Sequence, residues 1–272
     1  MSFVGYIITY RESGSLERRE NLKTVLAWLA TLQDIEVVVI EQDEKPRLDP
    51  LEFPSARVCF YYNPGAFNKA WGFNIGAQLL NTPVYAFGDA DILVPHSWAQ
   101  AVDLMRGDYA AIKPYVSLVD LTEAETKQIR EFSVEWLPER ANGLLTNREH
   151  QGEYLPYAGG LFLVRRSLFF KVAGFDERFI GWGGEDDAMT SRLQASGELL
   201  GGIEHLPALH LWHPRLIPQL QGQDDYSQNL RILADYKRYT PQQYQRLFEV
   251  QRCIMANADK YRPDRILSPT CV

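Results

Sequence analysis

The sequence predicts an α/β protein built on a doubly wound mixed sheet, with helices on both faces of the sheet. Short apolar runs alternate along the chain with segments of helical periodicity, and this alternation is typical of that architecture. The run at 37–40 is β-branched without a break, as in strands that are covered on both faces. Charged residues follow several of the runs, at the edge where open α/β sheets bind their ligands.

The first third of the chain contains four predicted strands and two predicted helices. In the first helix, Leu22, Val25, Leu26 and Leu29 recur at a spacing of three and four residues, which predicts one apolar face. A polar, proline-bearing stretch at 43–54 is predicted to be a loop. The predicted strands are 3–9, 37–40, 58–62 and 84–87, and the predicted helices are 15–32 and 67–80.

The rest of the chain combines further strands and helices with one long loop. Thr122 and Glu125 form a capping-box pattern that opens a helix. Thr240 followed by Pro241 marks the start of the last helix. The stretch 142–156 is polar and aperiodic, which predicts a surface loop. Helices are predicted at 97–105, 186–194, 226–236 and 241–257, and strands at 109–115 and 161–164.

A domain boundary is predicted near residue 219, where a polar stretch precedes the last two helices. Residues 1–218 would form the main domain, with one half at 1–95 and the other at 96–218. Residues 219–272 would form a C-terminal helical appendage.

Composition narrows the partners that the protein can bind. The chain has 272 residues and a formal net charge of -7, with charges of both signs mixed along it. The sequence contains no basic patch suited to nucleic acid, which favours a small-molecule ligand.

The sequence also predicts a cellular compartment. No run approaches the about 20 apolar residues that span a membrane, and no signal-peptide pattern begins the chain. The three cysteines have no framework spacing, which predicts free thiols in a reducing compartment. A cytoplasmic protein is therefore expected, either free or peripherally associated with the inner face of the membrane.

Two patterns offer ligands for a metal ion. Asp89 and Asp91 form an acid-x-acid pair at the end of an apolar strand, where both point to one side of an extended chain. Carboxylates suit Mg²⁺ and Mn²⁺, and substrate phosphates often complete the coordination. His210 and His213 form a second pair, and imidazole shifts the preference towards Mn²⁺ or other transition metals. The chain must turn here for both rings to converge, and a pair of surface or core-edge histidines is the alternative.

A third pattern places three carboxylates behind a glycine-bracketed tryptophan. The glycines on both sides of Trp182 permit the backbone changes of a lid. Glu185, Asp186 and Asp187 open a predicted helix, and like charges this close raise one another's pKa. A carboxylate with a raised pKa is a candidate general base. The alternative is an acidic first helical turn behind a tight turn with a buried tryptophan.

Taken together, these segments resemble the β-1,4-galactosyltransferase family. The strings FNKA at 67–70, NIG at 74–76 and FGDADILVP at 87–95 resemble its donor half, and YAGG at 157–160, GF at 174–175 and WGGEDD at 182–187 resemble its acceptor half. The region is similar, less closely, to polypeptide N-acetylgalactosaminyltransferases and bacterial polysaccharide-polymerising transferases. The resemblance implies the Rossmann-like GT-A fold of nucleotide-sugar transferases, with a nucleotide-sugar-binding half at 1–95 and an acceptor-binding half at 96–218.

The resemblance also implies roles for individual residues. Asp186 would be the catalytic base. Asp91, His213 and His210 would hold Mn²⁺, with Mg²⁺ as the alternative ion, and His210 would replace a methionine of the animal enzymes. The residues implied to bind a UDP-sugar donor are Tyr10, Arg11, Phe67, Lys69, Asp89, Tyr157 and Gly160, and those implied to bind a carbohydrate acceptor are Trp182, Glu185 and Asp187.

The function expected from these residues is metal-dependent, inverting transfer of a hexose, galactose or a related sugar, to a hydroxyl of a carbohydrate, in polysaccharide or glycoconjugate synthesis. A retaining or an N-acetylhexosaminyl transferase of the same fold is the alternative. A non-catalytic carbohydrate-binding relative would have lost the acids, and all of them are present. A nucleotidyl- or phosphotransferase is disfavoured because the sequence has no G-x-x-x-x-G-K-[ST] loop. The loop at 142–156 matches nothing in the family, so the acceptor stays unidentified.

Overall fold

The computed structural model describes residues 2–139, 155–214 and 223–262. The strands lie at Val4–Tyr10 (β1), Ile35–Asp43 (β2), Arg57–Tyr62 (β3), Val84–Gly88 (β4), Ile92–Leu93 (β5), Ala111–Lys113 (β6), Leu118–Asp120 (β7), Leu161–Arg165 (β8), Leu200–Gly202 (β9) and Ala208–His210 (β10). The helices lie at Leu16–Leu29 (α1), Lys69–Leu79 (α2), Trp98–Arg106 (α3), Glu123–Glu131 (α4), Arg166–Lys171 (α5), Glu185–Ala195 (α6), Gln223–Tyr236 (α7) and Pro241–Arg252 (α8).

The strands form two sheets. The larger has seven strands in the order β3–β2–β1–β4–β8–β6–β9, and the smaller has three in the order β5–β10–β7. Strands β1 to β4 run parallel to their neighbours among themselves, whereas β8 is antiparallel to both β4 and β6. The predicted mixed α/β sheet is therefore confirmed.

Successive side chains of the large sheet point to opposite faces, and each face packs into its own hydrophobic core. Tyr6 and Ile8 belong to the core that also contains the apolar face of α1, whereas Ile7 and Ile40 belong to the core that contains α2. This alternation is the two-residue period of a strand. Because both faces are covered, every residue of β1 is buried, as its unbroken apolar run predicts.

Helix α2 approaches the sheet closely because small residues face the strands. A Cβ added to Gly76 would lie 2.3 Å from Cγ2 of Ile7. At its N-terminus, the Asn68 side chain accepts a hydrogen bond from the Trp71 amide at 2.8 Å, which caps the helix. The close approach fixes the first turn of α2, and with it Lys69, over the carboxyl ends of the parallel strands.

The predicted elements differ from the observed ones mainly at their ends. The predicted strand at 109–115 is only Ala111–Lys113, since the next residue, Pro114, has no amide hydrogen with which to continue the ladder. The last helix ends at Arg252 rather than near 257, and it begins with the predicted Thr240 cap. A single 3-10 turn at Pro50–Glu52 lies within the predicted loop. Most of the predicted loop at 142–156 lies outside the described residues.

The two C-terminal helices, α7 and α8, contribute side chains to the core that contains α2. The fully buried Arg192 of α6 donates to the Tyr236 hydroxyl at 2.8 Å, and that hydroxyl donates to Asp176 at 2.8 Å. Arg192 also donates to Gln251 of α8. Buried charges are tolerated when they are paired and hydrogen-bonded in this way. The predicted boundary at 219 lies outside the described residues, so the division of domains stays a prediction.

Two observations bear on the predicted compartment. In the described part of the chain, none of the helices is both long and apolar enough to cross a bilayer. Cys59 is a free thiol as predicted. Cys253, however, is disulfide-bonded, so the prediction of free thiols is wrong at that position. The cysteines consequently no longer support the prediction of a reducing compartment.

Candidate active site

Asp91 of the acid-x-acid pair and the two histidines meet beside the small sheet. Nε2 of His213 lies 3.2 Å from Oδ2 of Asp91, and Nε2 of His210 lies 3.7 Å from Oδ1 of the same carboxylate. The ligand atoms of the three residues lie within 4.8 Å of one another. The chain therefore makes the turn that the H-x-x-H spacing requires.

The small sheet explains this convergence. His210 ends β10, which pairs antiparallel with β5 so that His210 lies opposite Ile92, the residue after Asp91. Past the end of β10, the Leu211 amide donates to the Asp91 carbonyl at 2.8 Å. The side chain of Asn21 holds the following turn by donating to the Trp212 carbonyl at 3.1 Å. Backbone pairing thus places both histidines at the acid-x-acid loop.

The donor set suits a divalent transition-metal ion. Ligands at about 2.1 Å in an octahedral arrangement lie about 3 Å apart, which is comparable to the separations of 3.2 and 3.7 Å seen here. Burial by itself raises the pKa of Asp91, but His210 and His213 outweigh it and hold that pKa well below its ordinary value. An ionised oxygen ligand with two imidazole nitrogens fits Mn²⁺ better than Mg²⁺.

Lys69 connects the acid-x-acid motif to the acids that follow Trp182. Its Nζ lies 3.0 Å from Asp89, 3.5 Å from Glu185 and 3.2 Å from Asp186. Asp186 presents both carboxylate oxygens to this ammonium at 3.2 Å. Burial lowers the pKa of Lys69, but Asp186, Asp89 and Glu185 together raise it well above its ordinary value, so the ammonium stays charged.

One ammonium shared among three carboxylates leaves Asp186 with a raised pKa. Burial is the largest cause of the rise; Lys69 opposes it, and the Glu185 and Asp89 carboxylates add to it, which brings the pKa to about 8. The value is close to the range in which a general base is effective at neutral pH. The sequence predicts a raised pKa from the adjacent acids, whereas at Asp186 burial is the larger cause and the distant Asp89 acts together with Glu185.

Asp187 differs from its two neighbours because it does not contact Lys69 among the described ion pairs. Burial raises the pKa of Asp187, and Lys237 lowers it. The Asp187 carbonyl accepts from the Ser191 hydroxyl at 2.9 Å within α6. Asp187 is therefore close enough to Lys237, the residue after α7, for their charges to interact. It lies outside the Lys69 cluster, which consists of Lys69, Asp89, Glu185 and Asp186.

The Gly159–Gly160 turn precedes β8 and lies beside Asp186: a Cβ added to Gly159 would lie 3.5 Å from Oδ2 of Asp186. Gly160 has φ +74°, and a Cβ there would lie 2.2 Å from the Tyr115 hydroxyl, so both its conformation and its surroundings require glycine. Its carbonyl accepts from the Asp89 amide at 2.8 Å. Gly160 therefore supports the acid-x-acid loop through the backbone.

Two residues that sequence reasoning missed hold this turn. The Tyr115 hydroxyl donates to the Gly159 carbonyl at 2.9 Å, and Lys113 donates to the same carbonyl. Burial lowers the pKa of Lys113 to about 7, with Asp186 and Asp89 acting in the opposite direction. Both residues come from the predicted strand at 109–115, but no motif singles them out.

The Trp182 loop is exposed at its tip and anchored at its base. The Trp182 ring is 66% exposed, and it contacts Tyr226 of α7 with 5.3 Å between the ring centroids. This exposure excludes the alternative of a buried tryptophan. The Asn229 side chain donates to the Ile180 carbonyl at 2.8 Å and to the Trp182 carbonyl at 3.2 Å. The Gly181 amide donates to the Phe67 carbonyl at 2.8 Å, which ties the loop to the donor half.

Three other residues with a predicted donor-binding role make contacts of their own within the protein. Arg11 donates to the carbonyls of Gln42 at 2.8 Å and Asn63 at 2.6 Å, and also to Gly65. The Tyr157 hydroxyl donates to the Gly201 carbonyl at 2.9 Å. The buried Tyr10 donates to Glu12 at 3.3 Å. Arg11 thereby fixes the loop before Phe67, and direct contact of these residues with a nucleotide stays a prediction.

Comparison with known sequences shows related glycosyltransferases. A family model described as the N-terminal domain of galactosyltransferase matches residues 145–208. The match includes most of the loop at 142–156, so the expectation that this loop has no counterpart in the family is wrong. Human β-1,4-galactosyltransferase 4 is 36% identical over 67 residues, which are 24% of this chain and 20% of the human protein. Validoxylamine A glucosyltransferase of Streptomyces hygroscopicus subsp. jinggangensis (strain 5008) is 28% identical over 220 residues, which are 70% of this chain and 51% of that protein. The matched regions thus span at most 51% of these two relatives.

Comparison with solved structures shows the fold. The mannosyltransferase PcManGT from Pyrobaculum calidifontis, in complex with GDP-Man and Mn²⁺, has a TM-score of 0.55 and 16% identity, over 92% of this chain and 69% of that chain. GalNAc-T7 with UDP, GalNAc and Mn²⁺ gives the same TM-score and identity, over 92% of this chain and 55% of that chain. The predicted resemblance is confirmed: the chain has the GT-A fold, and its sequence resembles galactosyltransferases over residues 145–208.

Proposed function

We propose that the chain is a metal-dependent, inverting glycosyltransferase that moves a hexose from a UDP-sugar to a hydroxyl of a carbohydrate. The observation that carries this proposal is the contact of one ammonium, Lys69, with both Asp89 and Asp186. Asp89 lies two residues from Asp91, which together with His210 and His213 forms the metal-type cluster. Asp186 has the raised pKa that suits a general base. The loop that carries Asp91 and the candidate base Asp186 are thereby linked through Lys69.

The metal site is assigned to Asp91, His210 and His213. Mn²⁺ bound there would act as a Lewis acid that neutralises the diphosphate leaving group. Two structural neighbours of this chain were solved with Mn²⁺, which supports the choice of ion. The distances among the three side chains are compatible with that ion without rearrangement of the backbone.

Asp186 is assigned as the base. As the acceptor oxygen attacks the anomeric carbon, Asp186 takes the hydroxyl proton, and the bond between that carbon and the diphosphate oxygen breaks. A single displacement of this kind inverts the anomeric centre, whereas retention by double displacement needs a nucleophile at that carbon. Lys69 keeps the carboxylate oriented before the acceptor binds, because it contacts both of its oxygens.

The acceptor is assigned to the surface around Trp182. The exposed indole offers an apolar face on which a sugar ring can pack. Glu185 and Asp187 flank the base in the first turn of α6 and can accept hydrogen bonds from acceptor hydroxyls. Galactose is the first sugar to test, because the family model that matches residues 145–208 is described as a galactosyltransferase domain. A role in polysaccharide or glycoconjugate synthesis accords with a carbohydrate acceptor.

Calorimetry in the presence of Mn²⁺ tests the donor. The two structural neighbours carry different nucleotides, GDP-Man in one and UDP in the other. The fold therefore does not determine whether the donor nucleotide contains guanine or uracil. UDP is expected to bind this chain at least about tenfold more tightly than GDP, a difference of about 1.4 kcal/mol. The reason is the family resemblance, which implies that Phe67 packs on a uracil; the Phe67 carbonyl accepts from the Gly181 amide at the base of the Trp182 loop.

A pair of phenylalanine variants controls that experiment. Phe67→Ala is expected to weaken UDP binding, whereas Phe132→Ala, at a ring 76% exposed beyond α4, is expected to leave it unchanged. Tighter binding of GDP than of UDP would contradict the UDP-sugar assignment.

A further inference from the structure

Asp120 lies beside the metal-type cluster, although it belongs to none of the sequence motifs. Its Oδ1 is 2.7 Å from Nδ1 of His210, a distance typical of a strong charge-assisted hydrogen bond. Asp120 ends β7, which pairs in parallel with β10 so that Asp120 and His210 lie directly opposite each other. The contact is therefore built into the register of the small sheet.

The chemistry of this contact determines which histidine nitrogen is available. An ionised carboxylate accepts hydrogen bonds and repels a lone pair, so this close contact favours the proton on Nδ1 of His210. In a neutral ring, Nε2 then keeps its lone pair. Nε2 is also the atom that faces Asp91, at 3.7 Å. His213 is arranged similarly but with a weaker partner, since its Nδ1 contacts the Pro214 carbonyl at 3.1 Å.

The backbone around His210 is fixed independently of Asp120. The Leu121 amide donates to the His210 carbonyl at 2.9 Å, and the Leu211 amide donates to the Asp91 carbonyl at 2.8 Å. These bonds place the His210 Cα but do not set the rotation of its ring. Rotation and tautomer depend on what Nδ1 contacts, and the described partner is Asp120.

We propose that Asp120 is a positioning residue that locks the ring and tautomer of His210 and thereby strengthens Mn²⁺ binding at Asp91, His210 and His213. The proposal rests on the metal site of the proposed function. Outer-shell carboxylates of this kind typically change metal affinity by about 10–100-fold. The residue acts through His210 and needs no contact with the ion or the substrates.

Mn²⁺ binding measures this role without catalysis. The full-length protein is titrated with MnCl₂, and free Mn²⁺ is measured by electron paramagnetic resonance. Asp120→Ala is expected to raise the Kd for Mn²⁺ by about 10–100-fold. Asp120→Asn, which keeps a neutral acceptor, is expected to raise it less. Asp103→Ala removes an exposed aspartate from α3 and is expected to leave the Kd unchanged.

A double-mutant cycle separates positioning from general structural support. His210→Met removes the ring on which Asp120 acts but keeps a side chain that can ligate. In that background, adding Asp120→Ala is expected to change the Kd by less than about twofold, because the two residues act as one unit. Nitrogen-15 spectra of histidine-labelled, metal-free protein give a second readout, with the His210 proton expected on Nδ1 in the wild type and redistributed in Asp120→Ala.

The Mn²⁺ titrations distinguish failure of the Asp120 inference from failure of the proposed metal site. If the wild type binds Mn²⁺ and Asp120→Ala binds it equally well, the inference is overturned and the metal site stands. An equal loss of affinity in the wild-type and His210→Met backgrounds also overturns it, because Asp120 would then act without His210. A wild type that binds no Mn²⁺ overturns the proposed metal site and the inference with it. Thermal unfolding in excess chelator identifies a variant that fails to fold, in which case Asp120→Asn and the tautomer spectrum decide.

Discussion

Replacing Asp186 by asparagine is expected to lower kcat by about 10²–10⁴-fold, the usual effect of removing a general base. Asparagine is nearly isosteric and keeps the hydrogen-bonding reach, but it cannot take the proton of the acceptor hydroxyl. Because the base acts in the transition state, donor affinity is expected to stay nearly unchanged. Steady-state kinetics with a carbohydrate acceptor and calorimetry with UDP measure the two quantities separately.

The adjacent residue provides a matched control. Asp187→Asn changes the same functional group one position along α6, outside the contacts of Lys69. It is expected to raise the acceptor KM more than it lowers kcat. A value of kcat close to the wild type in Asp186→Asn would rule out this residue as the base, together with the main reason for assigning inversion.

The pH profile provides a further test of the same residue. A base works when it is deprotonated, and the pKa of Asp186 is raised to about 8. In the wild type, kcat/KM is therefore expected to rise as the pH rises through about 8 and then to level off. Asp186→Asn is expected to lack this limb. A limb that persists in the variant belongs to another group.

Asp91→Asn is expected to abolish transfer and to weaken donor binding. The substitution removes the anionic ligand that contacts both histidines, at 3.2 and 3.7 Å. A metal that polarises a leaving group contributes several kcal/mol to the transition state, so the expected loss of rate is about 10³-fold or more. Rates in excess Mn²⁺, and the Kd for UDP with and without Mn²⁺, measure the effect.

Chelator and a distant aspartate control this variant. Excess chelator is expected to reduce the wild type to the level of Asp91→Asn, and added Mn²⁺ is expected to restore the wild type alone. Asp103→Asn, on the exposed side of α3, is expected to behave as the wild type. Full activity of the wild type in excess chelator would refute a metal-dependent reaction.

The sequence predicts the parts of this protein that depend on local pattern. The strand β1 is an unbroken apolar run because both of its faces are buried, so its position is legible without a structure. The acid-x-acid pair and the two histidines can also be recognised in the sequence, because each motif lies within four consecutive residues. Their convergence then follows from a turn after β10.

Contacts that depend on strand register, or on charged residues far apart in the sequence, cannot be predicted from local sequence patterns. Strand β7 has three residues, too few for a period, yet its pairing with β10 brings Asp120 to His210. The family resemblance implies that Lys69 binds the donor, but its nearest described charged partners are Asp89 and Asp186, the second 117 residues away. Local motifs do not encode such pairings, which arise only when the sheet is assembled.

The C-terminal helices illustrate a third kind of missed contact. Helices α7 and α8 read as an appendage because a polar stretch precedes them. Their buried faces are revealed by Arg192, whose guanidinium is fully buried and reaches Tyr236 and Gln251. A buried arginine looks like a surface residue in a sequence, because its partners come from elements far along the chain.

Release of nucleoside diphosphate from nucleotide sugars tests the central claim most directly. The protein is incubated with a panel of UDP- and GDP-sugars and a set of mono- and disaccharide acceptors, in Mn²⁺ or in excess chelator. We expect release of UDP from a UDP-hexose, UDP-galactose first, accelerated by one class of acceptor and lost in chelator and in Asp91→Asn. Failure to release a diphosphate from any of these donors, or release that is indifferent to chelator, would contradict the claim.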